Sequence, residues 1–191
     1  MKGITIYGAS SPAIDPCYLD AARLTGQLLG EAGVDLICGG GRTGIMAAAI
    51  DGALSAGGTA TGVLPAFMIE RNWQHPGLTR MEVTPDMHSR KELMASLSRG
   101  VIAMPGGVGT LEELLEILTW RQLGLYDGNV VILNTRGYYD PLFDMLRRSI
   151  EQHFMNADHA SLWIEAATPA EAVRVVLDTP VRHREFTQKI V

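Results

Sequence analysis

Short apolar, β-branched runs alternate along the chain with longer stretches in which apolar residues recur at spacings of three and four. The short runs predict strands at residues 4–7, 34–38, 59–64, 81–83, 101–104 and 130–133, with a further strand around residues 162–164. The longer stretches predict helices at residues 16–30, 44–54, 87–97, 111–123, 141–154 and 169–177. Such alternation is typical of parallel strands joined by crossover helices. The sequence therefore predicts an α/β fold, a three-layer, Rossmann-like, doubly wound parallel sheet.

Composition and charge narrow the class of protein. With 47% hydrophobic and 19% charged residues among 191, the chain is typical of a single globular domain, which we place at residues 1–180 before a tail at residues 181–191. The net charge of −5 argues against a nucleic-acid partner, because duplex binding depends on lysine and arginine neutralising phosphates. Cys17 and Cys38 show neither a disulfide framework nor zinc-ligand spacing, so no metal site is expected. With no signal-peptide pattern and no membrane-length apolar run, we expect a cytoplasmic protein with no membrane partner.

The segment Pro105-Gly-Gly-Val-Gly-Thr-Leu-Glu-Glu113 carries the strongest chemical signal. It follows a predicted strand and opens a predicted helix, and a helix start preceded by glycines attracts phosphate through free N–H groups and the helix dipole. The candidate phosphate cradle comprises Gly106, Gly107, Val108, Gly109 and Thr110. An alternative is a tight turn in which Thr110 and Glu113 form a capping box that merely satisfies the helix start.

Three other loops are expected at the same edge of the sheet, where ligands of doubly wound folds gather. The run Gly39-Gly-Gly-Arg-Thr-Gly44 matches G-x-G-x-x-G but lacks the acidic residue of a dinucleotide site and the Gly-Lys-Ser/Thr ending of a P-loop. We interpret Gly40 and Gly41 as part of a mononucleotide-contacting loop, with a simple strand-to-helix turn as the alternative. Ser10, after the first strand, is placed either to donate to a phosphate or sugar hydroxyl or to cap the next helix.

The third loop carries an unusual charge pattern. Arg90 and Lys91 lie near the start of a predicted helix, where the dipole mildly disfavours cations, so a bound anion or a partner carboxylate would explain them. Plain surface exposure is the alternative for either residue alone. Asp86 is expected to cap this helix.

Together, Gly39-Gly-Gly41, Met87-His-Ser-Arg-Lys91 and Pro105-Gly-Gly-Val-Gly-Thr-x-x-Glu113 resemble the LOG family, also labelled "lysine decarboxylase-like". The similarity extends through His75-Pro-Gly-Leu-Thr79 and Gly137-Tyr-Tyr139 and covers roughly residues 3–155. It implies a cytokinin riboside 5′-monophosphate phosphoribohydrolase, which cleaves the N-glycosidic bond of AMP or an N6-substituted AMP without a cofactor, and it implies a homodimer. The resemblance assigns catalysis to Arg90 and Glu113, phosphate binding to Gly106 to Thr110, and positions beside the nucleotide to Met87 and Lys91. Gly8 and Arg42 depart from the family pattern, which leaves the base preference open.

Some alternatives are tested against the residues themselves. A carboxylate such as Glu113 suits glycosidic hydrolysis because it stabilises positive charge on the ribose and orients water, and Glu116, one turn further on, is a second candidate. A pyridoxal-phosphate decarboxylase needs a Schiff-base lysine, yet the chain has only Lys2, Lys91 and Lys189. The remaining alternative is a non-catalytic binding protein of the same fold, such as a molybdenum-cofactor carrier.

Overall fold

A computed structural model describes residues 2–180, and the predicted tail at residues 181–191 lies outside this range. Within it, the strands are β1 Gly3–Tyr7, β2 Leu36–Cys38, β3 Ala60–Pro65, β4 Arg80–Thr84, β5 Ser98–Ala103, β6 Asn129–Leu133 and β7 Ile164–Ala166. The α-helices are α1 Pro16–Glu31, α2 Gly44–Ser55, α3 Ala66–Glu70, α4 Met87–Leu97, α5 Val108–Gln122, α6 Asp140–Glu151 and α7 Pro169–Asp178. Short 3₁₀ turns at Thr135–Gly137 and Ala157–Ser161 complete the connections.

The described strands form one sheet in the order β4-β3-β2-β1-β5-β6-β7, and every neighbouring pair is parallel. The strand order reverses at β1, which lies between β2 and β5. Because the inner parallel strands bury both faces, their sequences are mostly apolar, and β1 and β6 are buried along their full length. The predicted doubly wound parallel sheet is confirmed.

Two hydrophobic cores lie on opposite faces of the sheet, which makes the fold three-layered. Helices α1, α2 and α7 supply one core through residues such as Leu29, Ile50 and Val176. Helices α4, α5 and α6 supply the other. No described helix is long and apolar enough to cross a membrane.

The differences from the sequence prediction have local causes. Strand β5 begins at Ser98 rather than at residue 101, because backbone pairing with β1 extends it through polar residues. Helix α5 begins at Val108 rather than at residue 111, since its first turn contains a glycine and an exposed valine that give no periodic signal. The last strand was expected around residues 162–164 but occupies Ile164–Ala166. The five-residue helix α3 is too short to have produced a periodic pattern.

Candidate active site

A cleft of about 720 Å³ opens at the carboxyl ends of the strands, which is where ligands bind in doubly wound folds. Its walls come from the segments that follow β1, β2, β3, β4 and β5, so it straddles the point where the strand order reverses. The volume lies within the range of small-molecule sites. All four loops singled out in the sequence therefore contribute to one cavity.

The centre of the cleft holds an ion pair between Arg90 of α4 and Glu113 of α5. The Arg90 Nη1 donates to Glu113 Oε1 at 2.9 Å, and the Arg90 Nε donates to the Val63 carbonyl at 3.0 Å. Both side chains are largely buried, with 7% and 12% of their surface exposed, respectively. Gly39 lies directly against the guanidinium, since a Cβ at that position would come within 1.8 Å of Arg90 Nη2. The glycine loop after β2 thus leaves room for the arginine rather than only forming a turn.

This arrangement excludes the capping interpretation of Glu113. The N-cap of α5 is Gly107, so Thr110 is the third residue of the helix and no side chain caps its start. Glu113 is directed towards Arg90 instead. Burial raises the pKa of Glu113 above its ordinary value, and the Arg90 guanidinium opposes that rise. The result is a carboxylate that is more basic than an ordinary glutamate yet is held beside a fixed positive charge.

The phosphate-cradle segment lies at one end of the cleft. Gly107, Gly109 and Thr110 line it at the start of α5, whereas Val108 is 85% exposed on the outer side of the helix. Gly106 is buried beneath, where a Cβ would clash with Thr110 Oγ1 at 2.1 Å. The start of α5 therefore faces the cleft without a side-chain cap, an arrangement whose free N–H groups suit an anion.

Two tyrosines fix the backbone that leads into this cradle. Tyr138 donates its hydroxyl to the Gly106 carbonyl at 2.7 Å, and Tyr139 donates to the Met104 carbonyl at 2.7 Å. These two bonds anchor the backbone on either side of Pro105, and neither tyrosine lines the cleft. The Gly-Tyr-Tyr motif after β6 thus has a structural reason to accompany the glycine loop.

The loops that follow β1 and β2 form another part of the cleft wall. Ser10 and Gly41 line the cleft, and Gly40 lies behind Gly41 with a φ of +66°. Thr43 donates to the Ser10 carbonyl and joins the two loops. The alternative cap role of Ser10 is wrong, because the N-cap of α1 is Asp15. Asp86 does cap α4, as predicted, by accepting from the Ser89 N–H at 2.8 Å.

Lys91 and Glu116 lie away from the cleft lining. Lys91 Nζ pairs with Glu112 and with Glu116, the latter at 3.0 Å, and only 7% of the lysine side chain is exposed. Burial lowers the pKa of Lys91, but its bonds to the two glutamates prevail and raise it above its ordinary value. Successive helical residues point about 100° apart, so Lys91 cannot share the direction of Arg90. Among Lys91, Glu112 and Glu116, the residue that lines the cleft is Glu112.

The sequence analysis did not identify a group of apolar side chains that lines the cleft. Met87, which was predicted, is joined there by Met46, Leu64, Met68 and Trp73. Trp73 belongs to the long irregular loop before β4, whose lack of periodicity hid its role. The sequence feature that could have indicated this role is the position of Trp73, an aromatic residue among polar neighbours.

Two features of the described residues bear on cofactors. No group of three or more His, Cys, Asp or Glu side chains among them is arranged to hold a metal ion. Neither lysine within residues 2–180 lines the cleft: Lys91 is held by glutamates, and Lys2 lies against a different cavity. The site therefore does not fit pyridoxal phosphate, which requires a lysine for its Schiff base.

Comparison with known proteins identifies close relatives. A family model described as "Possible lysine decarboxylase" matches residues 46–176. The chain is 35% identical over 188 residues to the cytokinin riboside 5′-monophosphate phosphoribohydrolase LOG1 of Arabidopsis thaliana, covering 98% of this chain and 88% of the relative. It is 37% identical over 177 residues to a cytokinin riboside 5′-monophosphate phosphoribohydrolase of Rhodococcoides fascians, covering 92% and 83%.

Solved structures share the fold. The molybdenum cofactor carrier protein of Chlamydomonas reinhardtii superposes with a TM-score of 0.71 at 26% identity, over 93% of this chain and 97% of that one. The molybdenum cofactor binding protein of Rippkaea orientalis gives 0.72 at 24% identity, over 93% and 96%, which supports the fold alone.

Proposed function

Because this chain belongs to the LOG family, whose model carries the lysine decarboxylase description, we propose that it hydrolyses the N-glycosidic bond of a purine nucleoside 5′-monophosphate. The products are the free base and ribose 5-phosphate, and the substrates are AMP or an N6-substituted AMP of the cytokinin type. The observation that carries the proposal is the buried Arg90–Glu113 pair beside an open glycine-rich helix start in one cleft. The protein is an enzyme, not a pyridoxal-phosphate decarboxylase.

Glu113 performs the central chemistry. As the bond between the anomeric carbon and the base nitrogen breaks, its electron pair leaves with the base and positive charge builds on the ribose. A carboxylate stabilises that charge, accepts a proton from the attacking water, and thereby completes the addition of hydroxide to the anomeric carbon. The base nitrogen takes up a proton as it departs, so one water molecule is consumed overall.

Arg90 keeps Glu113 ready for this step. Its guanidinium opposes the rise in the pKa of Glu113 that burial causes, so the carboxylate remains available as a base. Because Arg90 is also bonded to the Val63 carbonyl, the pair is held in one geometry before substrate binds. Such fixed charges stabilise a transition state without reorganisation.

The glycine cradle supplies remote binding energy. A 5′-phosphate at the N–H groups of Gly107, Gly109 and Thr110 lies at the helix start, one helical turn from Glu113. Binding at this distance aligns the reacting sugar, and that alignment is lost when the phosphate is missing. We therefore expect turnover of AMP and almost none of adenosine.

A non-catalytic carrier is the second candidate, since the Chlamydomonas reinhardtii carrier protein shares the fold. A carrier has no need for a buried carboxylate paired with an arginine at the position of the sugar. The test incubates the protein with AMP, N6-isopentenyl-AMP and adenosine and measures free base and ribose 5-phosphate. Release from either monophosphate supports the enzyme; binding without release favours the carrier; equal turnover of adenosine and AMP contradicts the role of the phosphate.

A homodimer is part of the proposal. The outer face of α5 exposes Val108 and Leu115, and a shallow depression of about 670 Å³ runs from them to Trp120. An apolar face of this kind is covered when two copies pair about a twofold axis. Light scattering at micromolar concentration should give a dimer mass, and Leu115→Glu should give a monomer; a monomeric unmodified protein would contradict the proposal.

Cytoplasmic localisation stays a prediction.

A further inference from the structure

An aromatic side chain stands at the rim of the cleft, supported from outside it. The Trp73 ring is 46% exposed and lines the cleft. The Arg71 guanidinium lies 5.3 Å from the centroid of the Trp73 ring and 5.6 Å from that of Phe67. Neither Arg71 nor Phe67 lines the cleft, whereas Trp73 does. The Arg71 guanidinium therefore packs on the tryptophan ring from outside the cleft lining.

The segment that carries Trp73 is bonded to the glycine loop after β2. The Arg42 N–H donates to the Trp73 carbonyl at 2.9 Å, and the His75 N–H donates to the Gly40 carbonyl at 2.8 Å. The Arg42 guanidinium adds a bond to the Asn72 carbonyl at 2.9 Å. The tryptophan is therefore part of a fixed wall, not of a free loop.

The order of strands places this wall at the base end of a bound nucleotide. The phosphate cradle follows β5, whereas the Trp73 segment follows β3 and α3. Between β5 and β3 lie β1 and β2, so the strands that lead to these two segments are about 14 Å apart, at three spacings of about 4.8 Å. The Arg90 guanidinium reaches the Val63 carbonyl of β3 and lies against Gly39 after β2, and it bonds to Glu113 on the helix that follows β5, so the ion pair spans the space between the two segments. With the phosphate at one end and the ribose over the ion pair, the base points towards Trp73.

We propose that Trp73 is the platform on which the purine base of the nucleotide stacks. This inference rests on the proposed function, because it takes the ligand to be a purine nucleotide. Met46, Leu64 and Met68 extend the apolar surface beside the ring and offer a place for an N6 substituent. Arg42 acts through the backbone of the Trp73 segment and is a positioning residue.

The experiment measures binding in the Glu113→Gln background, where hydrolysis should be slow enough for binding to be followed. Titration with AMP, N6-isopentenyl-AMP and ribose 5-phosphate is followed by tryptophan fluorescence and by calorimetry. Both nucleotides should quench the fluorescence, and ribose 5-phosphate should bind without quenching. Trp73→Ala should weaken binding of both nucleotides about tenfold and leave ribose 5-phosphate unchanged. Trp73→Phe keeps an aromatic face and should retain most of the affinity. Trp73→Leu keeps bulk without an aromatic face, should weaken nucleotide binding as alanine does, and replaces the alanine variant if that variant fails to fold.

Phe67→Leu is the matched control, since it removes an aromatic ring from the same stack but not from the cleft. It should leave the nucleotide affinity within about twofold. The platform is overturned if Trp73→Ala, or Trp73→Leu in its place, binds nucleotides as tightly as the parent, or if the same variant weakens ribose 5-phosphate binding equally. Failure of the proposed function looks different: the unmodified protein releases no base, while AMP still quenches the tryptophan fluorescence and Trp73→Ala abolishes that quenching.

Discussion

Replacing Arg90 by methionine isolates the electrostatic relationship at the centre of the cleft. The substitution keeps an unbranched side chain in the same space but removes the charge next to Glu113, which is 12% exposed. An unpaired buried carboxylate destabilises a fold by about 3–5 kcal/mol. Glu113 can limit this loss by binding a proton, and holding a carboxyl of ordinary pKa neutral at pH 7 requires about 4 kcal/mol. The expected loss of unfolding free energy at pH 7 is therefore about 3–4 kcal/mol.

The loss of unfolding free energy in Arg90→Met should change with pH in one direction, which follows from the pKa of Glu113. In the variant, the folded-state pKa of Glu113 rises well above its unfolded value, so the folded state favours the protonated carboxyl. Its stability is then fully present below the unfolded pKa and is lost as the pH rises through the folded pKa. The deficit relative to the parent should grow by up to about 2.7 kcal/mol from pH 5 to pH 7. The parent shows the same sign to a smaller extent, because Arg90 opposes the effect of burial.

Urea denaturation at the two pH values measures the deficit. The double variant Arg90→Met/Glu113→Gln is the control, since it has no carboxyl to titrate and should show no growth in the deficit between pH 5 and pH 7. A deficit in Arg90→Met that is the same at both pH values would refute the reasoning, because the loss would then come from packing or from the orphaned Val63 carbonyl.

Three further predictions concern catalysis. The acid limb of kcat/KM should lie at a pH above the ordinary glutamate pKa of about 4.3, because burial raises the pKa of Glu113; a limb at or below that value would contradict its role as the base. Tyr138→Phe removes the donor to the Gly106 carbonyl and should raise the KM for AMP about fivefold with little change in kcat; an unchanged KM would separate the tyrosine from the cradle. Gly39→Ala forces the Arg90 guanidinium to move and should lower kcat about 100-fold in steady-state assays, and full activity would show that its position is not critical.

The fold could be predicted from the sequence because the patterns that indicate its strands and helices are local and recur along the chain. Parallel strands buried on both faces give apolar runs, and crossover helices give a period near 3.6, so alternation alone defined the layers. The ends of elements were less accessible. The first residues of β5 owe their strand conformation to backbone pairing with β1, which leaves no trace in the side chains of Ser98 and Arg99.

The candidate site was only partly accessible. Arg90 and Glu113 were found through motifs, but their contact depends on the packing of α4 against the region of α5, which no local pattern encodes. The family resemblance placed Lys91 beside the nucleotide, yet helix geometry turns its side chain towards Glu116. Trp73 was missed because backbone bonds to the loop after β2 bring it to the cleft, and such bonds are independent of side-chain identity.

Hydrolysis of AMP and N6-isopentenyl-AMP by the unmodified protein and by Glu113→Gln tests the central claim most directly. The unmodified protein should release free base and ribose 5-phosphate in equal amounts from at least one of the two nucleotides. Glu113→Gln should be slower by about 100-fold or more while still binding the nucleotide, because it keeps the shape of the side chain and loses the base. Absence of cleavage by the unmodified protein, or undiminished cleavage by the variant, would contradict the mechanism.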